Sequence, residues 1–175
     1  MFDLLDFFGN LRDFVDAGGP VLRVLTLVAF LLWVLIFERL LFYRFEMPKL
    51  VGAVRSEWDA RSEHQSWYAE KIRQQYVAST QRAIRGSLPT INTLIALCPM
   101  LGLLGTVTGM IKVFEVMAVL GTSNAREMAS GVSAATLPTM AGMVLALSGM
   151  YPLAKYEGIV KREIRKLSDH MTLTR

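Results

Sequence analysis

The polar side chains able to do chemistry in this sequence are few, and they stand in apolar surroundings. Thr106, Thr108, Ser133, Thr136 and Thr139 lie within two runs, 91–111 and 128–153, that contain no Asp, Glu, Lys, Arg or His. Two accounts fit such hydroxyls. Each bonds back to a carbonyl of its own helix, the usual fate of a membrane threonine, or Thr106 and Thr139 line a polar pathway. Charges gather at the rims of the apolar runs: Glu38 and Arg39 are adjacent, and Lys112 and Glu115 stand three apart, each spacing suited to an interfacial pair. Cys98 has no second cysteine, and His64 and His170 are far apart, so neither a disulfide framework nor a metal site is expected. There is no Ser/His arrangement, no paired intramembrane carboxylate and no nucleotide-binding pattern; GLLGTVTG at 102–109 lacks the strand and lysine of a phosphate loop. The expectation is a non-enzyme without cofactor or metal.

The elements that must position these groups are read from hydropathy. Of 175 residues, 53% are hydrophobic and only 19% charged, below the roughly 25% of soluble domains; the mean hydropathy is +0.37. Crossing a bilayer takes about 20 helical residues, and three segments qualify: 21–43, whose stretch 24–37 is uncharged, then 89–119 and 128–154. The fold class is therefore an all-α integral membrane protein. The flanks orient it. Residues 1–20 hold four aspartates against Arg12, net −3; 44–88 hold eight bases against five acids, net +3; and 155–175 hold six bases against three acids, again net +3. Basic segments stay in the cytoplasm, which puts the N-terminus outside, 44–88 and the tail inside, and 120–127 in a short outer turn. Three spans and two basic segments on one side agree. An overall charge of +4 and a pI near 9.4 are compatible with nucleic acid, but the distribution fits a membrane, and no nucleic-acid partner is expected.

Residues 1–20 lack the basic start of a signal peptide. Leu4, Phe7, Phe8, Leu11, Phe14 and Val15 fall at helical spacing opposite the aspartates, as an amphipathic helix on the outer face or as a cap on the bundle. Gly18-Gly19-Pro20 then turns the chain into the first span. In 44–88, Ile72 and Tyr76 and then Ile84 and Leu88 recur four apart; Val160, Ile164, Leu167 and Met171 follow helical spacing in the tail. With no helix breaker between Arg61 and Arg85, the second and third spans are expected to continue as helices into the cytoplasm.

Helices in lipid associate through small residues that allow close approach. At 100° per residue, Gly102, Gly105, Thr106 and Gly109 fall within about 100° of one another on the second span. Gly131, Ala135, Pro138, Gly142, Ala146 and Gly149 fall within about 80° on the third, with Thr139 beside them. Other helices must pack there, from this chain or from copies of it. Pro138 removes a backbone donor beside Thr139 and bends the helix or merely adjusts its packing, and Pro89 and Pro99 read alike. Cys98 and the ten methionines read as apolar filling.

These residues resemble a known family. PMLGLLGTVTGMIKVF at 99–114 is similar to the second-span signature of the MotA/TolQ/ExbB proton-channel family, and GVSAATLPTMAGMVLAL at 131–147 to its third span. The likeness runs from GGPVL at Gly18 and the Glu38-Arg39 pair to the basic tail, and the three-span layout resembles the ExbB and TolQ branch more than four-span flagellar stators. The short chain and LPTMAGMVLALSGMYP look most like ExbB-type subunits of auxiliary TonB systems. The resemblance implies a homo-oligomeric, pentameric ring in a bacterial inner membrane, N-terminus periplasmic and C-terminus cytoplasmic. It implies an ExbD-type single-span partner, a TonB-type protein, and use of the proton motive force to energise outer-membrane import of ferric siderophores, haem or cobalamin. By the same resemblance Thr106 and Thr139 match the family's pore threonines.

One departure matters. Where better-known ExbB and TolQ chains carry a glutamate eight residues before the glycine matched by Gly142, this sequence has Ala134. Because a bare charge in hydrocarbon is costly, and the second and third spans offer neither acid nor base at depth, the proton carrier is expected from a partner's membrane helix. The family's ExbD-type partner has an aspartate there. A TolQ-like subunit serving envelope integrity and a passive membrane scaffold are the competing readings.

Overall fold

The computed structural model describes residues 9, 12–16, 18–61, 66–120 and 125–171. Leu4, Phe7, Phe8, Leu11, His64 and residues 121–124 of the expected 120–127 turn lie outside the described residues. Among the described residues all regular structure is helical: residues 12–16, then α1 (Gly19–Leu41), a π-helical turn (Phe42–Glu46), α2 (Met47–Asp59), α3 (Trp67–Arg85), α4 (Leu88–Leu120) and α5 (Ala125–His170). Three helical stretches, Gly19–Asp59, Leu88–Val119 and Met128–His170, are long and apolar enough to cross a membrane.

The element boundaries follow from local chemistry. Gly19 sits at φ +69° and Pro20 in the first turn of α1, where a missing N–H leaves no bond unmade. Where α1 runs into α2, the ladder shifts to i→i+5 bonding, and the Met47 N–H reaches the Phe42 carbonyl. The shift adjoins Pro48, which has no N–H to offer the carbonyl four residues earlier. Ser66 caps α3, its Oγ accepting from the Ala69 N–H at 3.2 Å. Glu70 in its first turn and Arg82 and Arg85 in its last complement the helix dipole.

The expected unbroken passage from the 44–88 segment into the second span does not occur. Gly86, at φ +34°, ends α3 in a backbone conformation that side-chain-bearing residues avoid, and α4 starts afresh at Leu88. Pro89 therefore occupies a helical first turn and makes no mid-helix kink. The third span does continue. α5 is helical over 46 residues, through Pro138 and Pro152. At 1.5 Å per residue that is about 69 Å, more than twice a hydrocarbon core of about 30 Å.

By contact the chain divides into two compact units, one of residues 1–33 with 93–150 and one of 34–92 with 151–175. The first buries Leu22, Leu25, Leu32, Ile95, Cys98 and Ala135, yet it exposes Phe30, Leu103, Val107, Met140, Val144 and Leu147. An apolar exterior of this kind suits lipid or another protein rather than water. The second buries Trp58, Ile84, Ile91, Leu167 and Met171. Its helix ends are tied by polar contacts. The Arg73 guanidinium donates to the Ser168 carbonyl at 3.1 Å and to its Oγ at 3.0 Å, and His170 Nε2 meets Asp59 at 3.2 Å.

Candidate functional site

The glycine stripes of α4 and α5 face each other within one chain. A Cβ added to Gly102 would lie 2.9 Å from both the Pro138 carbonyl oxygen and Thr139 Cα, closer than real Cβ atoms come. One on Gly105 would collide with the Pro138 ring, one on Gly109 with Ala135, and one on Gly131 with Val113. On Gly142 it would meet the Cys98 carbonyl, and on Gly149 it would lie 2.9 Å from Ile95 and 3.1 Å from Leu32 of α1. Periodicity left open whether these stripes meet copies of the chain. The structure brings them together inside the subunit, with Pro138 and Ala135 fully buried between the helices.

The hydroxyls of this helix pair divide into two kinds. Thr106 donates to the Leu103 carbonyl at 2.7 Å, Thr108 to Leu104 at 3.0 Å and to Gly105 at 3.1 Å, and Thr136 to Ser133 at 3.0 Å. These are bonds within one helix. Thr139 instead donates across, from α5 to the Gly102 carbonyl of α4, at 3.2 Å. Such a bond forms only because Gly102 lets the two backbones approach. Both Thr106 and Thr139 are half-buried, and Ala134 lies half-buried on the same helix as Thr139. A threonine whose single proton is engaged keeps its oxygen lone pairs as acceptors. The pair in this state is therefore ready to accept a hydrogen bond and has none to give.

Near the C-terminal end of α1, the Glu38–Arg39 pair forms, with Arg39 Nε 3.3 Å from Glu38 Oε2. Sequence did not show what surrounds it. Arg39 is only 8% exposed, and its guanidinium lies 4.9 Å over the Phe42 ring. Arg39 Nε donates to Ser87 Oγ, which in turn donates to Glu38 Oε2 at 3.1 Å. The guanidinium occupies the place a Cβ on Gly86 would take. Beside this knot, Tyr43 Oη donates to the Ile84 carbonyl at 3.2 Å and Tyr156 Oη to the Ile36 carbonyl at 3.1 Å, their rings 5.2 Å apart. The only sequence signal for Gly86 and Ser87 was a glycine just past a helical pattern. By contrast, Lys112 and Glu115 are both exposed, and among the described residues no ion pair joins them. Their three-residue spacing puts them on one helix face, but two exposed long side chains gain little by being held together.

The profile of the MotA/TolQ/ExbB proton channel family matches residues 43–169. A biopolymer transport protein of Helicobacter pylori designated ExbB-like 1 is 25% identical over 185 residues, covering 99% of this chain and 95% of its own. One of Synechocystis sp., also designated ExbB-like 1, is 45% identical over 60 residues, 33% of this chain and 24% of its own length. An ExbB homolog of Methanothermobacter thermautotrophicus is 22% identical over 196 residues, covering 94% of this chain and 69% of its own. No solved structure matches.

Proposed function

This chain belongs to the MotA/TolQ/ExbB proton channel family, and we propose that it is an ExbB-type inner-membrane subunit that uses the proton motive force to energise TonB-dependent import across the outer membrane. In this reading the N-terminus and the 120–127 turn are periplasmic, and segments 44–88 and 155–175 are cytoplasmic. Five copies form a ring around an ExbD-type partner that supplies the titratable acid. The observation that carries the proposal is the pair of threonines on the close-packed helices α4 and α5, in stretches 91–111 and 128–153 that hold no Asp, Glu, Lys, Arg or His.

The state of those threonines suggests how a carboxyl group would be treated there. With their protons on Leu103 and Gly102 carbonyls, either Thr106 or Thr139 can accept the one O–H of a neutral carboxylic acid, and neither offers a donor to a carboxylate. A buried charge without donors is expensive. The inserted acid is thus held protonated until the hydroxyls rotate away from their carbonyls or water enters. That rotation is a small change able to couple proton release to movement of the partner.

The test is proton flux into vesicles holding the chain and its ExbD-type partner, with Thr106→Val and Thr139→Val combined. Flux should fall to the level of vesicles lacking the partner while the complex still co-purifies; undiminished flux removes the threonines from the pathway. The chain reconstituted alone should be tight to protons, and a proton-selective leak would end the requirement for a partner's acid. Absence of flux in every arm would favour a passive scaffold. Growth on a ferric siderophore as sole iron source separates import from a TolQ-like role in envelope integrity.

A further inference from the structure

A groove in the second unit, formed where α1 passes into its π-helical turn and α5 leaves the apolar stretch, is lined by Leu40, Tyr43, Arg44, Lys155, Tyr156 and Ile159, among others. Its floor is fixed: the Tyr43 and Tyr156 rings pack 5.2 Å apart at a tilt of 55°, and both hydroxyls are engaged by backbone carbonyls. Its walls are the aliphatic Leu40, Pro152 and Ile159, with the Tyr151 ring beside them. Its two charges are both positive, and among the described residues neither Arg44 nor Lys155 has an ion-pair partner. The acids nearest to it in sequence line other grooves. Glu38 and Glu46 line a neighbouring groove with Phe37 and Phe45, and Glu157 lines a third with Arg85.

We infer that this groove binds one anionic phospholipid of the inner leaflet, its phosphate between Arg44 and Lys155 and its upper acyl chain along Leu40 and Ile159. Arg44 and Lys155 each stand immediately after an apolar span, the depth at which head groups lie if both ends face the cytoplasm. Paired bases beside tyrosines at that depth attract anionic head groups. A zwitterionic lipid brings its own ammonium, which two unpaired cations repel, and a free phosphate makes no use of the aliphatic walls. The inference needs the membrane orientation above and makes no use of the proton pathway.

The test is equilibrium binding to the full-length chain in neutral detergent without any partner, with phosphatidylglycerol, phosphatidylcholine and inorganic phosphate as separate probes. Phosphatidylglycerol should bind saturably. In Arg44→Gln with Lys155→Gln its Kd should rise about 30-fold, the weight of two cations near a membrane surface. Lys161→Gln with Arg165→Gln, removing two exposed bases outside the groove, should leave Kd unchanged, and Arg44→Lys with Lys155→Arg should retain binding. Equal affinity for phosphatidylcholine, full competition by inorganic phosphate, an unaltered Kd in the groove variant or an equal loss in the control would each overturn the site. Because the readout needs neither partner nor proton gradient, its failure and that of the proton-channel reading are separable.

Discussion

Replacing Gly102 with alanine tests the helix contact on which the threonine geometry depends. Gly→Ala inside an exposed helix stabilises by about 1 kcal/mol, and Gly158, which has nothing within 4 Å of an added Cβ, should show that gain. Gly102 gains the same helix propensity, but its Cβ would lie 2.9 Å from Pro138 O and Thr139 Cα, where carbon contacts prefer about 3.5 Å or more. Both opposing atoms are backbone, so no side-chain rotation relieves them and the helices must part by roughly half an ångström. Overpacking of this kind costs about 1–3 kcal/mol. Parting also lengthens the 3.2 Å Thr139–Gly102 hydrogen bond, a contact whose like is worth about 0.6 kcal/mol between membrane helices. The two substitutions should therefore differ by about 2 kcal/mol, several degrees in Tm for a chain of this size. Thermal unfolding of the purified full-length variants, followed by circular dichroism in one detergent, reads the difference. If Gly102→Ala is as stable as Gly158→Ala, the two helices do not approach as described and the cross-helix bond loses its basis.

Gly86→Ala should destabilise more than an ordinary helix-end substitution. It puts a side chain at φ +34° and into the space of the Arg39 guanidinium, so a loss of at least about 1–2 kcal/mol is expected from the backbone alone; equal stability of Gly86→Ala and wild type would show that Arg39 is not held there. Tyr76 donates to Glu57 Oε1 at 2.8 Å, and that hydrogen bond is the main cause pushing the phenol above its ordinary value of 10.0. Since the folded pKa is raised, the contact helps the folded state fully below about pH 10 and is lost as the pH climbs through the raised value. Spectrophotometric titration should find a tyrosine whose midpoint drops in Glu57→Ala, and an unchanged titration curve would remove the contact.

Much of the membrane architecture was legible because uncharged runs of the length of 91–111 and 128–153 leave a helix few other solvents. The stripes of Gly102, Gly105 and Gly109 and of Ala135, Pro138 and Gly142 were legible as faces. Their partner was not, because periodicity gives a direction and no neighbour. Thr139 shows the same limit. Sequence offered its own helix's carbonyl or a polar pathway, and the acceptor is a third group, a carbonyl on α4 that depends on two distant backbones approaching. The break at Gly86 stands one residue past the breaker-free stretch 61–85, and there a glycine's positive φ outweighs the helical spacing of Ile84 and Leu88. The widened turn at Phe42–Glu46 carries no composition of its own, since FYRFE suits an ordinary helix equally well.

That turn makes the number of residues in the first helix matter as much as their kind. Ile36, Arg39 and Tyr43 are buried on one side of it or within it, and Val51 and Trp58 are buried beyond it. Excising a single residue would restore the usual ladder but swivel one group against the other by about 100°, bringing part of one set into solvent. Loops absorb insertions and deletions readily; this stretch does not. When relatives are aligned, a gap falling between 42 and 46 should thus be matched by altered residues at positions such as 36, 39, 51 or 58, and a gap with none of these changed would mark a misplaced alignment.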